Sequence, residues 1–82
     1  MIIFTPSTFK HGISKEQILF VFSRPLFDDM LSVFPEKYLL IGFDKNGNLL
    51  EVIYRMEENN TKTIIFHAMK CRKSYFSLLK YY

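Results

Sequence analysis

The spacing of hydrophobic residues along this chain predicts an antiparallel sheet in its middle. Three apolar runs of strand length lie at 37–43 (KYLLIGF), 49–56 (LLEVIYRM) and 62–69 (KTIIFHAM). An Asn-Gly step separates the first two runs and a polar segment, EENN, precedes the third, so both connections are predicted to be tight turns. The three strands are therefore expected to pair as a meander. A further run, LFDDMLSVF (26–34), fits either a fourth strand or an irregular connection.

A strong helix signal precedes the sheet. Ser14 and Gln17 have the spacing of a capping box. Ile13 and Ile18 have the spacing of a hydrophobic staple, so a helix is predicted over residues 15–23. Its apolar positions form a broad face suited to packing on a sheet.

The two ends of the chain have shorter signals. MIIF predicts a short N-terminal strand, and Thr5-Pro6 predicts a turn of helix that ends at Gly12. After Lys70, apolar residues at helical spacing predict a C-terminal helix that runs to Tyr82. The predicted fold is one α+β domain over residues 1–82: a short N-terminal strand and helices packed on an antiparallel meander sheet of three to four strands, with a C-terminal helix.

Composition narrows the class of protein. With 82 residues, of which 49% are hydrophobic and 17% aromatic, the chain is too apolar to be intrinsically disordered. Its single cysteine, Cys71, excludes an internal disulfide, and two histidines do not make a structural zinc site. No apolar run approaches the ~20 residues that span a bilayer, and no signal-peptide pattern is visible. We expect a cytoplasmic protein that does not bind a membrane and needs no cofactor.

The positive charge is concentrated at one end. The net charge is +3, yet no acidic residue follows Glu58, and that last part of the chain carries five cations, Lys62, Lys70, Arg72, Lys73 and Lys80. A local positive field attracts anions, so RNA or an acidic protein is the expected partner.

Several motifs resemble the BrnT family of bacterial toxins. They are KHGIS before the helix, IGFDKNGNLLEVIY across the hairpin, and IIFHAMKCRKSY at the end of the last strand. The resemblance implies a RelE-like fold and a ribonuclease toxin of a type II toxin–antitoxin system, whose cognate antitoxin is a small protein that covers the basic face. Lys70 keeps the family's lysine, whereas Met69 stands where the family has an arginine.

Metal-independent RNA cleavage needs a base for the 2′-hydroxyl proton, a cation for the phosphorane and an acid for the leaving oxygen. His67 is the predicted base, because imidazole exchanges protons near neutral pH. His11 is a second candidate. The alternatives are that His67 is a strand residue held by a backbone carbonyl, and that His11 closes a turn. A two-metal site is disfavoured, because the acid pairs 28–29 and 57–58 are adjacent and point to opposite strand faces.

Cations and an aromatic residue complete the predicted site. The predicted catalytic set is His67, Lys70, Arg72 and His11, and the predicted RNA-binding set is Lys10, Arg55, Lys73 and Tyr75. The alternatives are that the cations form a solvated surface and that Tyr75 belongs to the core. Cys71 is predicted to pack the last helix.

Strand alternation divides the middle strand into two faces. Glu51 and Arg55 share one face, either in a modest cross-strand network or as an acid and an oxyanion clamp. In the last strand, alternation places His67 with Ile65 and Met69. Whether that face is also the face of Arg55 depends on the register between the strands, which the sequence does not fix.

Two other functions remain open from the sequence. Because Met69 replaces the family arginine, the protein is alternatively a non-catalytic module that binds RNA or a protein on the same fold. A third alternative is a homo-oligomer that associates through exposed Phe and Tyr side chains.

Overall fold

One mixed sheet organises the protein. The computed structural model describes residues 1–79. The elements, in chain order, are β1 (Ile2–Phe4), a first 3₁₀ helix (Pro6–Phe9), α1 (Lys15–Ser23), β2 (Phe27–Ser32), β3 (Lys37–Phe43), β4 (Leu49–Glu57), β5 (Lys62–Lys70) and a second 3₁₀ helix (Lys73–Leu78). The five strands lie in the order β1-β5-β4-β3-β2.

The α+β class, the meander and the helix are confirmed. Strands β2 to β5 pair antiparallel in chain order, so residues 26–34 do contribute a strand. The helix α1 spans Lys15–Ser23, and the reciprocal Ser14 and Gln17 bonds of a capping box are both present. At the β3–β4 turn, Asp44 accepts hydrogen bonds from the backbone N–H groups of Asn46 and Asn48.

The predicted strand count was wrong. The sheet has five strands and is mixed, because β1 joins it as an edge strand parallel to β5. Thr63 donates its N–H to the Met1 carbonyl at 2.8 Å, and Thr5 donates to the Ile65 carbonyl at 2.9 Å. These bonds pair the outer edge of β5, which a sheet without β1 leaves open.

The predicted C-terminal helix was also wrong within the described residues. Lys70 ends β5, and only a 3₁₀ helix follows it, Lys73–Leu78. The sheet uses the backbone N–H groups at this point: Cys71 donates to the Leu49 carbonyl and Arg72 donates to the Glu51 carboxylate, both at 2.9 Å. A helix that began after Lys70 would also have cations at its N-terminus, which is the positive end of the helix dipole. The predicted end at Tyr82 lies outside the described residues.

Hydrophobic side chains are buried on both faces of the sheet. On one face, which we call the α1 face, Ile18 and Val21 of the helix pack on strand residues: Leu40, Leu50, Val52, Tyr54, Ile65 and Ala68. On the opposite face a second cluster contains Leu39, Ile41, Ile53 and Cys71, with Phe66, Tyr75 and Leu79 packed against it. Cys71 is buried in this cluster, as its predicted packing role requires, but a 3₁₀ helix stands in place of the helix that it was predicted to pack. No helix within residues 1–79 is long and apolar enough to cross a membrane.

A β-bulge in β5 changes the predicted faces of the last strand. Ile65 pairs with Tyr54 and His67 pairs with Ile53, so Phe66 is an extra residue in the ladder. Ile65 therefore packs on the α1 face, away from His67, and the prediction that these two residues share a face was wrong. Phe66 and His67 both lie on the opposite face.

Candidate functional site

A buried carboxylate organises the face opposite α1. The side chain of Glu51 is 0% exposed, and its Oε2 accepts hydrogen bonds from His67 Nε2 at 2.9 Å and Arg72 Nη2 at 2.7 Å. Its Oε1 accepts from the Arg72 backbone N–H at 2.9 Å and from Nε at 3.1 Å. Burial by itself raises the pKa of Glu51, but the hydrogen bonds from Arg72 and His67 outweigh burial and hold the pKa below its ordinary value. Glu51 is therefore an ionised acceptor.

This carboxylate determines the tautomer of His67. An ionised carboxylate has no proton to donate, so His67 Nε2 carries the hydrogen of the 2.9 Å bond to Glu51. In the neutral ring Nδ1 is then the free acceptor. The His67 side chain is 20% exposed, which leaves the ring accessible at the surface. An imidazole held in this way is oriented for taking up a proton at Nδ1.

His11 lies beside His67, although 56 positions separate them in the sequence. The two ring centroids are 5.6 Å apart and the rings meet edge to face. The first 3₁₀ helix is fixed to the bulge in β5, because Thr8 Oγ1 donates to the carbonyl of residue 65 at 2.7 Å and Ser7 Oγ to that of residue 66 at 2.9 Å. These bonds hold the 3₁₀ helix against β5, and His11, two residues after its end, reaches His67.

Arg72 binds the buried carboxylate and is itself partly exposed to solvent. Its Nε and Nη2 both donate to Glu51, so that edge of the guanidinium is occupied and Nη1 lies on the other edge. The side chain is 48% exposed. Hydrogen bonding to Glu51 raises the pKa of Arg72 above its ordinary value, which keeps the guanidinium charged. Tyr75 lies under it, with the Arg72 Cζ 5.2 Å from the ring centroid.

Tyr75 packs against the core and also contacts Arg72, while its predicted role in binding RNA stays a prediction. Its ring is half-buried against the second hydrophobic cluster. Its hydroxyl oxygen accepts a hydrogen bond of 3.4 Å from Arg72 Nη2. We call His11, His67, Glu51, Arg72 and Tyr75 the histidine–glutamate cluster.

Other residues predicted for the site lie around this cluster. Lys70 pairs with Leu50, so the register places it on the α1 face. Lys10 and Lys73 are exposed. Arg55 lies on the cluster's face of the sheet, where its Nε donates to Glu57 Oε2 at 2.7 Å.

Sequence reasoning missed the central position of Glu51. It grouped this residue with Arg55 on one face of the strand, in a cross-strand network or as an acid and an oxyanion clamp. In the structure Arg55 bonds to Glu57, and Glu51 bonds to Arg72. The signal was present, because Glu51 is an acid within the apolar run LLEVIY. A buried carboxylate requires charged or hydrogen-bonding partners, which the structure shows to be His67 and Arg72.

Met69, at the position where the resemblance to BrnT toxins implies an arginine, pairs with Glu51 in the register of β4 and β5. Arg72, three residues further on, supplies the guanidinium that binds this carboxylate. Within residues 1–79 no group of three or more His, Cys, Asp or Glu side chains has the arrangement of a metal site. Comparisons with protein-family models, curated proteins and solved structures return no match. The resemblance to BrnT toxins stays a prediction.

Proposed function

We propose that the protein is a metal-independent endoribonuclease and the toxin of a toxin–antitoxin pair. One observation carries the proposal: two imidazoles lie in contact, 5.6 Å apart, and one of them is anchored on a buried carboxylate. Two histidines at the surface supply the base and the acid that RNA cleavage requires. The motifs that resemble BrnT toxins support the biological role.

The anchored histidine acts as the base. Nδ1 of His67 takes the proton of a ribose 2′-hydroxyl, and the 2′-oxygen attacks the adjacent phosphorus. The imidazolium that forms donates through Nε2 to Glu51, whose negative charge stabilises it. The Glu51 side chain is 0% exposed, so its attraction for the imidazolium is screened less than that of a surface carboxylate.

The second histidine acts as the acid. His11 is exposed at the edge of the site, and in its protonated form it delivers a proton to the departing 5′-oxygen. The bond between phosphorus and that oxygen breaks, leaving a 2′,3′-cyclic phosphate on one fragment and a 5′-hydroxyl on the other. The free edge of Arg72, with Nη1, stabilises the extra negative charge on the phosphorane.

Surface cations bind the rest of the substrate. Lys10 and Lys73 are exposed and positioned to contact flanking phosphates as point charges. Lys70 lies on the α1 face, so its contribution is to attract RNA rather than to act in the chemical step. The antitoxin partner inhibits by covering the histidine–glutamate cluster. The protein acts in the cytoplasm, where both RNA and antitoxin are available.

The test is an incubation of the purified protein with single-stranded RNA in excess EDTA. Cleavage that persists in chelator and is lost in His67→Ala, while Lys45→Ala cleaves normally, supports the proposal. Lys45 is a suitable control because it lies on the β3–β4 turn, at 5.9 Å from the Phe20 ring. Intact RNA with correctly folded wild-type protein overturns it.

A specific observation favours one alternative, a non-catalytic RNA-binding module. The edge of Arg72 that carries Nε and Nη2 is already occupied by Glu51, and Met69 supplies no second guanidinium. A binder requires only the surface charge. It is distinguished from the enzyme by salt-dependent binding of RNA that stays intact over long incubation.

A further inference from the structure

The bulge in β5 places two consecutive side chains on one face of the sheet. In a regular strand the neighbour of His67 points to the opposite face. Here Phe66 is the extra residue of the bulge and packs against the second hydrophobic cluster, on the same side as His67. Bulges often occur beside active sites, where they redirect a side chain. The redirected side chain here is a half-buried aromatic ring next to the proposed base.

Two cations, one on the adjacent strand β4 and one on β3 beyond it, lie over this ring. Lys37 Nζ on β3 lies 5.8 Å from the centroid of Phe66, and the Arg55 guanidinium on β4 also lies 5.8 Å from it. The Arg55 side chain is 44% exposed, and its partner Glu57 is 42% exposed. An exposed ion pair of this kind contributes little to stability, so Arg55 can exchange Glu57 for a phosphate at low cost.

We propose that Phe66, Lys37 and Arg55 form a nucleotide-binding subsite of the proposed ribonuclease. In the free protein both cations lie over the ring, so the base takes their place there. Phe66 stacks on the base next to the cleaved phosphodiester, and the displaced cations bind the phosphate of that nucleotide. This inference rests on the proposed function, since it extends from His67. An aromatic side chain can stack on a base only when that base is neither paired nor stacked within a duplex, so the substrate class is single-stranded RNA. Duplex RNA is excluded from the subsite.

The substitution Phe66→Leu tests the subsite with little risk to folding. Leu keeps an apolar contact with the cluster beneath but removes the aromatic face. Base–aromatic stacking is worth ~5- to 160-fold in affinity per base, so the dissociation constant for single-stranded RNA is expected to rise by about 10-fold. Phe76→Leu is the matched control: Phe76 is 47% exposed on the second 3₁₀ helix and is expected to bind RNA as the wild type does.

The decisive measurement combines this variant with RNAs that carry one abasic nucleotide at successive positions. An abasic site in the subsite weakens binding to the wild-type protein and has little further effect on Phe66→Leu, because the stacking is already lost. If an abasic nucleotide reduces the affinity of both proteins equally at every position of the RNA, the subsite is overturned.

Binding and cleavage are read separately, so the two proposals fail separately. Cleavage by the wild type without any effect of Phe66→Leu overturns the subsite and leaves the ribonuclease standing. Binding that depends on Phe66, with RNA that stays intact, supports the subsite and overturns the ribonuclease. Absence of both binding and cleavage overturns both.

Discussion

Substitution of Glu51 by Gln is the most informative perturbation of the cluster. The side chain keeps its size, but one oxygen becomes an NH₂ group and the negative charge is lost. The carboxylate now accepts from His67 and from three N–H groups of Arg72. With the amide oxygen at the Oε2 position, the bonds from His67 Nε2 and Arg72 Nη2 are kept, but the NH₂ group faces the backbone N–H of Arg72. With the oxygen at the Oε1 position, the NH₂ group faces both His67 Nε2 and Arg72 Nη2.

The consequence for catalysis follows from the tautomer. In the second orientation His67 Nε2 has to accept a hydrogen bond, so the ring proton moves to Nδ1 and the proposed base is lost. In the first orientation His67 keeps its tautomer. The charge that stabilises the imidazolium is lost in both orientations. General-base catalysis contributes typically 10²- to 10⁴-fold, so the cleavage rate of Glu51→Gln is expected to fall by about that factor.

The effect on stability is expected to be smaller. Removing one partner of a fully buried ion pair costs ~3–5 kcal/mol. Arg72 is 48% exposed, so water replaces part of what it loses. We expect a decrease of ~1–3 kcal/mol in the free energy of unfolding. Urea unfolding and single-turnover cleavage, measured on the same preparation, separate the two effects.

The control for this variant is Glu58→Gln. Glu58 pairs with Lys62 at 2.8 Å on the β4–β5 turn, and its side chain is 61% exposed. Its loss is expected to change the free energy of unfolding by less than ~1 kcal/mol and to leave cleavage unchanged. A folded Glu51→Gln protein that cleaves RNA at the wild-type rate refutes the role assigned to the carboxylate.

Three further predictions concern the fold and the surface charge. Asp44 is buried, and hydrogen bonds from Asn48 and Gln17 outweigh the effect of burial and lower its pKa from 3.8 to about 2. Since the folded-state pKa is the lower one, the stability contributed by Asp44 is complete above its unfolded pKa of 3.8 and is lost as the pH falls toward about 2. Acid unfolding of wild type and Asp44→Ala is therefore expected to show a difference in the free energy of unfolding that disappears at low pH. Gly42→Ala places a Cβ atom 3.0 Å from Val21 Cγ1, and circular dichroism melts are expected to show a loss of ~1–3 kcal/mol; an unchanged melting temperature contradicts the tight packing of α1 on β3. Lys70→Ala is expected to weaken RNA binding and reduce its salt dependence while the rate at saturating RNA is unchanged; a loss of that rate returns Lys70 to the catalytic set.

Local signals in the sequence predicted the elements whose formation depends on near neighbours. The capping box of Ser14 and Gln17 fixed the start of α1, and the Asn-Gly step fixed the β3–β4 turn. Both depend on hydrogen bonds within a few residues, which the sequence displays directly. The two faces of β4 followed from its regular alternation, and Tyr54 does lie in the helix-side cluster.

Long-range contacts determine the features that the sequence did not reveal. The bulge at Phe66 depends on how β5 pairs with β4, and strict alternation therefore assigned Ile65 to the wrong face. The 3₁₀ helix in place of a C-terminal helix depends on Glu51 binding the backbone of Arg72. His11 and His67 were both candidates, but their contact requires the first 3₁₀ helix to bind the edge of β5.

We propose that the paired imidazoles of His11 and His67 cleave RNA by transesterification. The most direct test of this proposal is mass spectrometry of the fragments released from a defined single-stranded RNA by the wild-type protein and by His11→Ala and His67→Ala, all in EDTA. We predict 2′,3′-cyclic phosphate and 5′-hydroxyl ends from the wild type, and a rate at least ~10²-fold lower from each variant. Fragments with 5′-phosphate ends, or cleavage that is unchanged in both variants, contradict the account.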